Sequence, residues 1–78
     1  MKNVNSLYKT SDLSLAAFML TKGYRIDRLV KEGTSVYLEF WIREDENPLS
    51  DFLSGEKVSA KEYAANIKQV KSLAMKMK

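Results

Sequence analysis

The chemistry open to this chain is set first by two residue types it lacks. Neither cysteine nor histidine occurs anywhere in its 78 residues. A thiolate nucleophile, a disulfide framework and a Cys-based zinc or iron–sulfur site are therefore excluded. So are the commonest general base and the commonest neutral metal ligand. Carboxylates such as Asp12 and Glu39 remain as acid–base groups, but Gly23, Gly33 and Gly55 each stand alone, and no glycine-rich loop is present to cradle phosphate. Glu44, Asp45 and Glu46 are consecutive and lack the alternating ligands and central glycine of a calcium loop, so they read as a solvated turn. The expectation is a protein with no catalytic residues, no metal, no cofactor and no small-molecule substrate.

Binding chemistry is better represented. Lys61, Lys68, Lys71, Lys76 and Lys78 recur at spacings that place them on one side of a helix, with no acidic residue among them. Such a stripe suits nucleic-acid phosphates, because each phosphate neutralised by lysine releases counterions and adds affinity without reading sequence. It also suits plain solvation, since lysine is an ordinary surface residue and favours the end of a helix dipole. Arg25, Tyr37 and Trp41 form a second candidate group. On an open sheet face, aromatic rings and guanidinium planes stack on unpaired bases, although Asp27 and Glu39 would oppose phosphate there. The third group is apolar: Leu15, Phe18 and Met19 lie in a segment, Leu13 to Leu20, that is hydrophobic on nearly every side. A helix of that kind is either a central core helix between the sheet and the last helix, or it turns a spare face to another chain.

These groups must be positioned by a small scaffold. At this length one domain, spanning 1–78, is expected, close to the size below which a single core needs help from staples or partners. With 45% hydrophobic residues the chain is globular in composition. The start, Met1 to Ser6, lacks the apolar core of a secretory signal, and the longest apolar run is far too short to span a bilayer. A cytoplasmic chain with no membrane association is expected.

The local signals give the order β-α-β-β-α-α. Leu7 to Thr10 reads as a short strand, and Ser11 or Asp12 can cap a helix that runs to about Lys22 and stops at Gly23. Tyr24, Ile26, Arg28 and Val30 alternate, as do Val36, Leu38, Phe40 and Ile42, which predicts two strands joined as a hairpin. Gly33 suits a three-residue loop with a bulge, and Val30 opposite Thr34 would then pair Ile26 with Leu38, Tyr24 with Phe40 and Arg25 with Glu39. That register leaves Arg25, Asp27, Leu29, Ser35, Tyr37, Glu39 and Trp41 on the outer face. Asn47-Pro48 opens a short helix that ends at Gly55. Ser59 and Glu62 form a capping box for the last helix, with Val58 placed to touch Tyr63 and an apolar face of Tyr63, Ile67, Val70, Ala74 and Met77. The fold class predicted is α+β, a small antiparallel sheet built on a central hairpin and packed against helices.

Charge is segmented along the same elements. Residues 1–38 carry a net +3, residues 39–56 carry six acidic groups against Arg43 alone, and residues 57–78 carry six lysines against Glu62. The acidic segment of one copy could meet the lysine stripe of another.

Three stretches, Tyr8 to Phe18, the corner Lys22-Gly23-Tyr24 and the entry from Gly55 to Tyr63, resemble DUF5659, a family of short bacterial and phage proteins defined as a domain of unknown function. The resemblance covers nearly the whole chain. It implies a compact fold and an origin in a phage or other mobile element, and it carries no activity or catalytic residue over to this sequence. Together these features point to a non-enzymatic accessory protein contacting nucleic acid, or a nucleic-acid-processing partner, through the lysine-rich last helix. The alternative is a protein-interaction module or homodimer that uses the apolar first helix.

Overall fold

The structure is a computed structural model and describes residues 5–77. Met1 to Val4 and Lys78, the last member of the lysine stripe, lie outside the described residues. Six elements follow in the expected order: β1 (Asn5–Thr10), α1 (Leu13–Thr21), β2 (Ile26–Glu32), β3 (Ser35–Arg43), α2 (Pro48–Leu53) and α3 (Ala60–Met77). The three strands form one antiparallel sheet in the order β1-β3-β2. β1 and β2 therefore run parallel to each other with β3 inserted between them, a split β-α-β arrangement.

The caps explain the boundaries. The Asp12 carboxylate accepts from the backbone N–H groups of Ser14 and Leu15, and the Thr10 hydroxyl accepts from the N–H of Asp12. β1 thus passes into α1 with these donors at the joint satisfied. At the far end Gly23 adopts φ +102, a left-handed value that lets the chain leave the helix. Asn47 caps α2 by accepting from Ser50 N–H, with Pro48 at the first helical position. Ser59 Oγ accepts from the N–H of Glu62, the first half of the capping box read from the sequence.

The core lies on one face of the sheet. Leu38 and Phe40 of β3 are fully buried against Leu15, Ala16, Ala17, Phe18 and Met19 of α1, with Val70 of α3 closing the cluster. Phe52 of α2 meets Phe18 with ring centroids 5.3 Å apart. α1 is therefore enclosed by the sheet, α3 and α2, which is the core-helix arrangement. Of the two alternatives open to this helix, a spare apolar face at Leu15, Phe18 and Met19 is the one that does not hold, because these side chains keep only 2%, 3% and 0% of their surface. A helix bordered by a sheet and two other helices needs apolar residues on nearly all sides, and this composition supplies them.

The hairpin register departs from expectation. Glu32 pairs with Ser35, so the loop has two residues, Gly33 at φ +62 and Thr34, instead of three. A glycine with positive φ at the first central position followed by a residue with negative φ is the pattern of a tight hairpin turn whose twist matches the strands. Leu29 then faces Leu38, Val30 faces Tyr37 and Arg28 faces Glu39. Between Arg28 and Ile26 the register shifts by one at Asp27, a β-bulge, after which Ile26 faces Phe40. The bulge belongs inside β2 and not at the turn. Its effect is to bring both Ile26 and Leu29 to the core face, so Leu29 leaves the outer face on which simple alternation had placed it.

Candidate nucleic-acid interface

α3 is held by its apolar stripe. Val70 and Ala74 are buried, Tyr63 and Ile67 pack against the core cluster, and Asn66 donates from Nδ2 to the Thr21 hydroxyl at 3.0 Å. The Tyr63 hydroxyl donates to the Ser14 carbonyl at 3.4 Å. With one side fixed on α1, the opposite side faces solvent, and Lys61, Lys68, Lys71 and Lys76 are all exposed on it. Among the described residues none of the four forms an ion pair. Ala64, Ala65 and Ser72 share this side and are short, and Met75 is the one long apolar side chain set among the lysines. Lys61 and Lys76 are separated along the axis by about 22 Å at about 1.5 Å per residue. That distance spans about six steps of one strand of a duplex.

The second candidate group lies elsewhere. Arg25, Tyr37 and Trp41 belong to the outer face of the sheet, the face turned away from all three helices, where β1 adds Leu7 opposite Trp41 and Lys9 opposite Glu39. The helical layer and the outer sheet face are on opposite sides of the molecule, whose shortest extent is 17 Å. The lysine stripe and the aromatic platform are therefore two surfaces, and no straight strand lies along both.

The outer sheet face is also internally matched in charge. Arg28 Nε donates to Glu39 Oε1 at 2.8 Å, and Glu39 is buried to 9% residual exposure beneath it. Lys9 Nζ reaches across β3 to Glu32 at 2.9 Å, passing 5.1 Å from the centroid of the Tyr37 ring. Trp41 Nε1 donates to Asp27 Oδ1 at 2.9 Å, which fixes the indole while leaving it about half exposed. Hydrogen bonds to these carboxylates hold Lys9 and Arg28 above their ordinary pKa values. The expected Arg25–Glu39 pair is replaced by Arg28–Glu39, because the two-residue turn that sets Glu32 opposite Ser35 advances the register of β2 by three residues; Arg25 instead accepts from Trp41 N–H through its carbonyl. Sequence reasoning missed Lys9 and Arg28 here. Their signal was available in part, since Lys9 follows Leu7 at the strand period and so shares its face.

A cleft of about 460 Å³ opens beside Lys22, Gly23, Tyr24, Asp45, Glu46, Asn47 and Asp51. Burial, and then the charges of Glu46 and Asp51, push the Tyr24 hydroxyl above its ordinary pKa. The acidic turn itself is structured locally, with Glu46 Oε1 accepting from Arg43 N–H and Arg43 Nε 3.7 Å from Asp45. Lys22 pairs with Glu56 at the cleft's edge. Among the described residues no group of three or more acidic side chains is arranged to hold a metal ion, and no helix is long and apolar enough to cross a membrane. Asp12 and Glu39, the carboxylates singled out for acid–base work, are occupied as a helix cap and as the partner of Arg28.

Residues 5–76 match the family described as Domain of unknown function (DUF5659). The chain belongs to this family. The three stretches that resemble DUF5659 fall at the β1–α1 joint, the α1–β2 corner and the α2–α3 joint, where capping and left-handed glycines fix the path of the chain. No curated protein and no solved structure matches the sequence.

Proposed function

We propose that this DUF5659 protein is a non-enzymatic, cytoplasmic accessory protein of a phage or mobile element that contacts nucleic-acid phosphates through the exposed face of α3. The observation that carries the reading is the set Lys61, Lys68, Lys71 and Lys76, exposed together and without ion pairs among the described residues. A cation already matched by a carboxylate gains little from a phosphate, whereas an unmatched row gains counterion release at each phosphate it meets. By the same reasoning the sheet face is the weaker site, because Lys9 and Arg28 are matched by Glu32 and Glu39. The origin in a mobile element rests on the family resemblance. A homodimer or partner groove built on Leu15, Phe18 and Met19 loses its support, since those residues are enclosed.

The test is binding of the protein to fluorescently labelled single strands and duplexes, followed by anisotropy as salt is raised from about 50 to about 200 mM. Affinity should be measurable at low salt and fall linearly on a double-logarithmic plot. Replacing the four lysines by glutamine should make that slope shallower by roughly one for each phosphate left without its lysine. Absence of binding at low salt, or a slope unchanged in the fourfold variant, would exclude the proposal.

A further inference from the structure

The two edges of the sheet are built differently. β2, at one edge, is interrupted by the bulge at Asp27 and carries Asp27, Arg28, Lys31 and Glu32. A bulge and a run of charges are the usual devices that stop an edge strand from pairing with another chain. β1, at the other edge, pairs with β3 in six consecutive positions without a shift and contains neither proline nor glycine. Its one charged residue, Lys9, is drawn across β3 to Glu32 and so leans away from the free edge. Among the described residues β1 pairs with β3 alone.

We infer that β1 pairs antiparallel with β1 of a second copy, joining two three-stranded sheets into one of six strands about a two-fold axis. The sequence of β1 is self-complementary for this when the axis passes Leu7. On the outer face Leu7 then meets Leu7 of the partner subunit and Asn5 meets the partner's Lys9, while Ser6 meets the partner's Tyr8 on the core face. No two like charges are opposed in this register. Leu7 is 43% exposed and its cross-strand neighbour Trp41 is 48% exposed, so the pairing extends one apolar row, Trp41 and Leu7, into the same row of the other copy. A slip of two residues would set Leu7 against lysine and break that row. The lysine face of α3 takes no part, so dimerisation through β1 is independent of nucleic-acid binding.

Because the chain contains no cysteine, a single introduced thiol reports on the pairing directly. Residues opposed across an antiparallel pair approach within the range a disulfide needs. Leu7→Cys should form a covalent dimer under mild oxidation on the order of tenfold or more faster than Leu53→Cys, a control on the exposed side of α2. Circular dichroism of each variant establishes that it is folded. Sedimentation of the unmodified protein should show a concentration-dependent dimer that Leu7→Lys abolishes and that the fourfold lysine variant of α3 retains. A strict monomer, equal cross-linking at positions 7 and 53, or a dimer indifferent to Leu7→Lys would overturn the inference.

Discussion

Glu39 is nearly buried in the middle of the central strand, and its carboxylate has one close cationic partner, the Arg28 guanidinium. Removing that partner leaves a charge with little water around it. Arg28→Ala should therefore lower the urea midpoint, and adding Glu39→Gln should recover part of the loss. The charges of this pair were legible in the sequence, but the partner was not. Pairing Arg25 with Glu39 follows from a three-residue loop with Val30 opposite Thr34, whereas the turn has two residues and Glu32 faces Ser35; the bulge, which lets Ile26 and Leu29 both face the core, is likewise invisible to a period of two. Tyr24 offers a pH-dependent test. Its folded pKa is raised above 10.0, so its contribution is complete below about pH 10 and is lost as pH rises through the folded value. Lys9, raised above 10.5 by Glu32, acts in the same direction. Stability should fall on going from about pH 9 to about pH 11, and the fall should be shallower in Tyr24→Phe.

At the scale of elements, the sequence carries most of the architecture because caps and apolar periods agree locally. Asn47 and Ser59 each cap the helix they were expected to cap, and of the two candidates at the start of α1, Ser11 and Asp12, it is Asp12 that does so. The status of α1 was harder to read, since an all-round apolar helix has the same pattern whether a neighbour in the chain or another chain covers it. Packing decides the matter: α3 and Phe52 occupy the side that α1 does not give to the sheet. Met19→Ala should consequently cost about 2 to 5 kcal/mol and lower the melting temperature, with no concentration dependence specific to that residue. In so small a domain this is a large part of the total stability. At the hairpin, Gly33 has open space around its missing Cβ but a φ of +62. Gly33→Ala should cost about 1 kcal/mol through backbone conformation alone, measured by chemical unfolding.

For the molecule as a whole, the division of charge seen along the chain becomes a division in space. The sheet side is knitted by Lys9–Glu32, Arg28–Glu39 and Arg43–Asp45, while the solvent side of α3 presents Lys61, Lys68, Lys71 and Lys76 without acidic partners among the described residues. That Lys61, Lys68, Lys71 and Lys76 share one side was legible in the sequence, because one helix carries them all and its period is fixed. The separation of Arg25, Tyr37 and Trp41 from those lysines was not, because nothing in a linear pattern tells which side of a sheet a distant helix covers. Nucleic-acid contact through α3 is tested most directly by an NMR titration of the protein with a short oligonucleotide at low salt. The largest amide shifts should map to the solvent side of α3, from Lys61 to Lys76, while those of Tyr37, Glu39 and Trp41 stay close to their starting positions. Shifts concentrated on the sheet face, or none at all, would leave the lysine face without the role proposed for it.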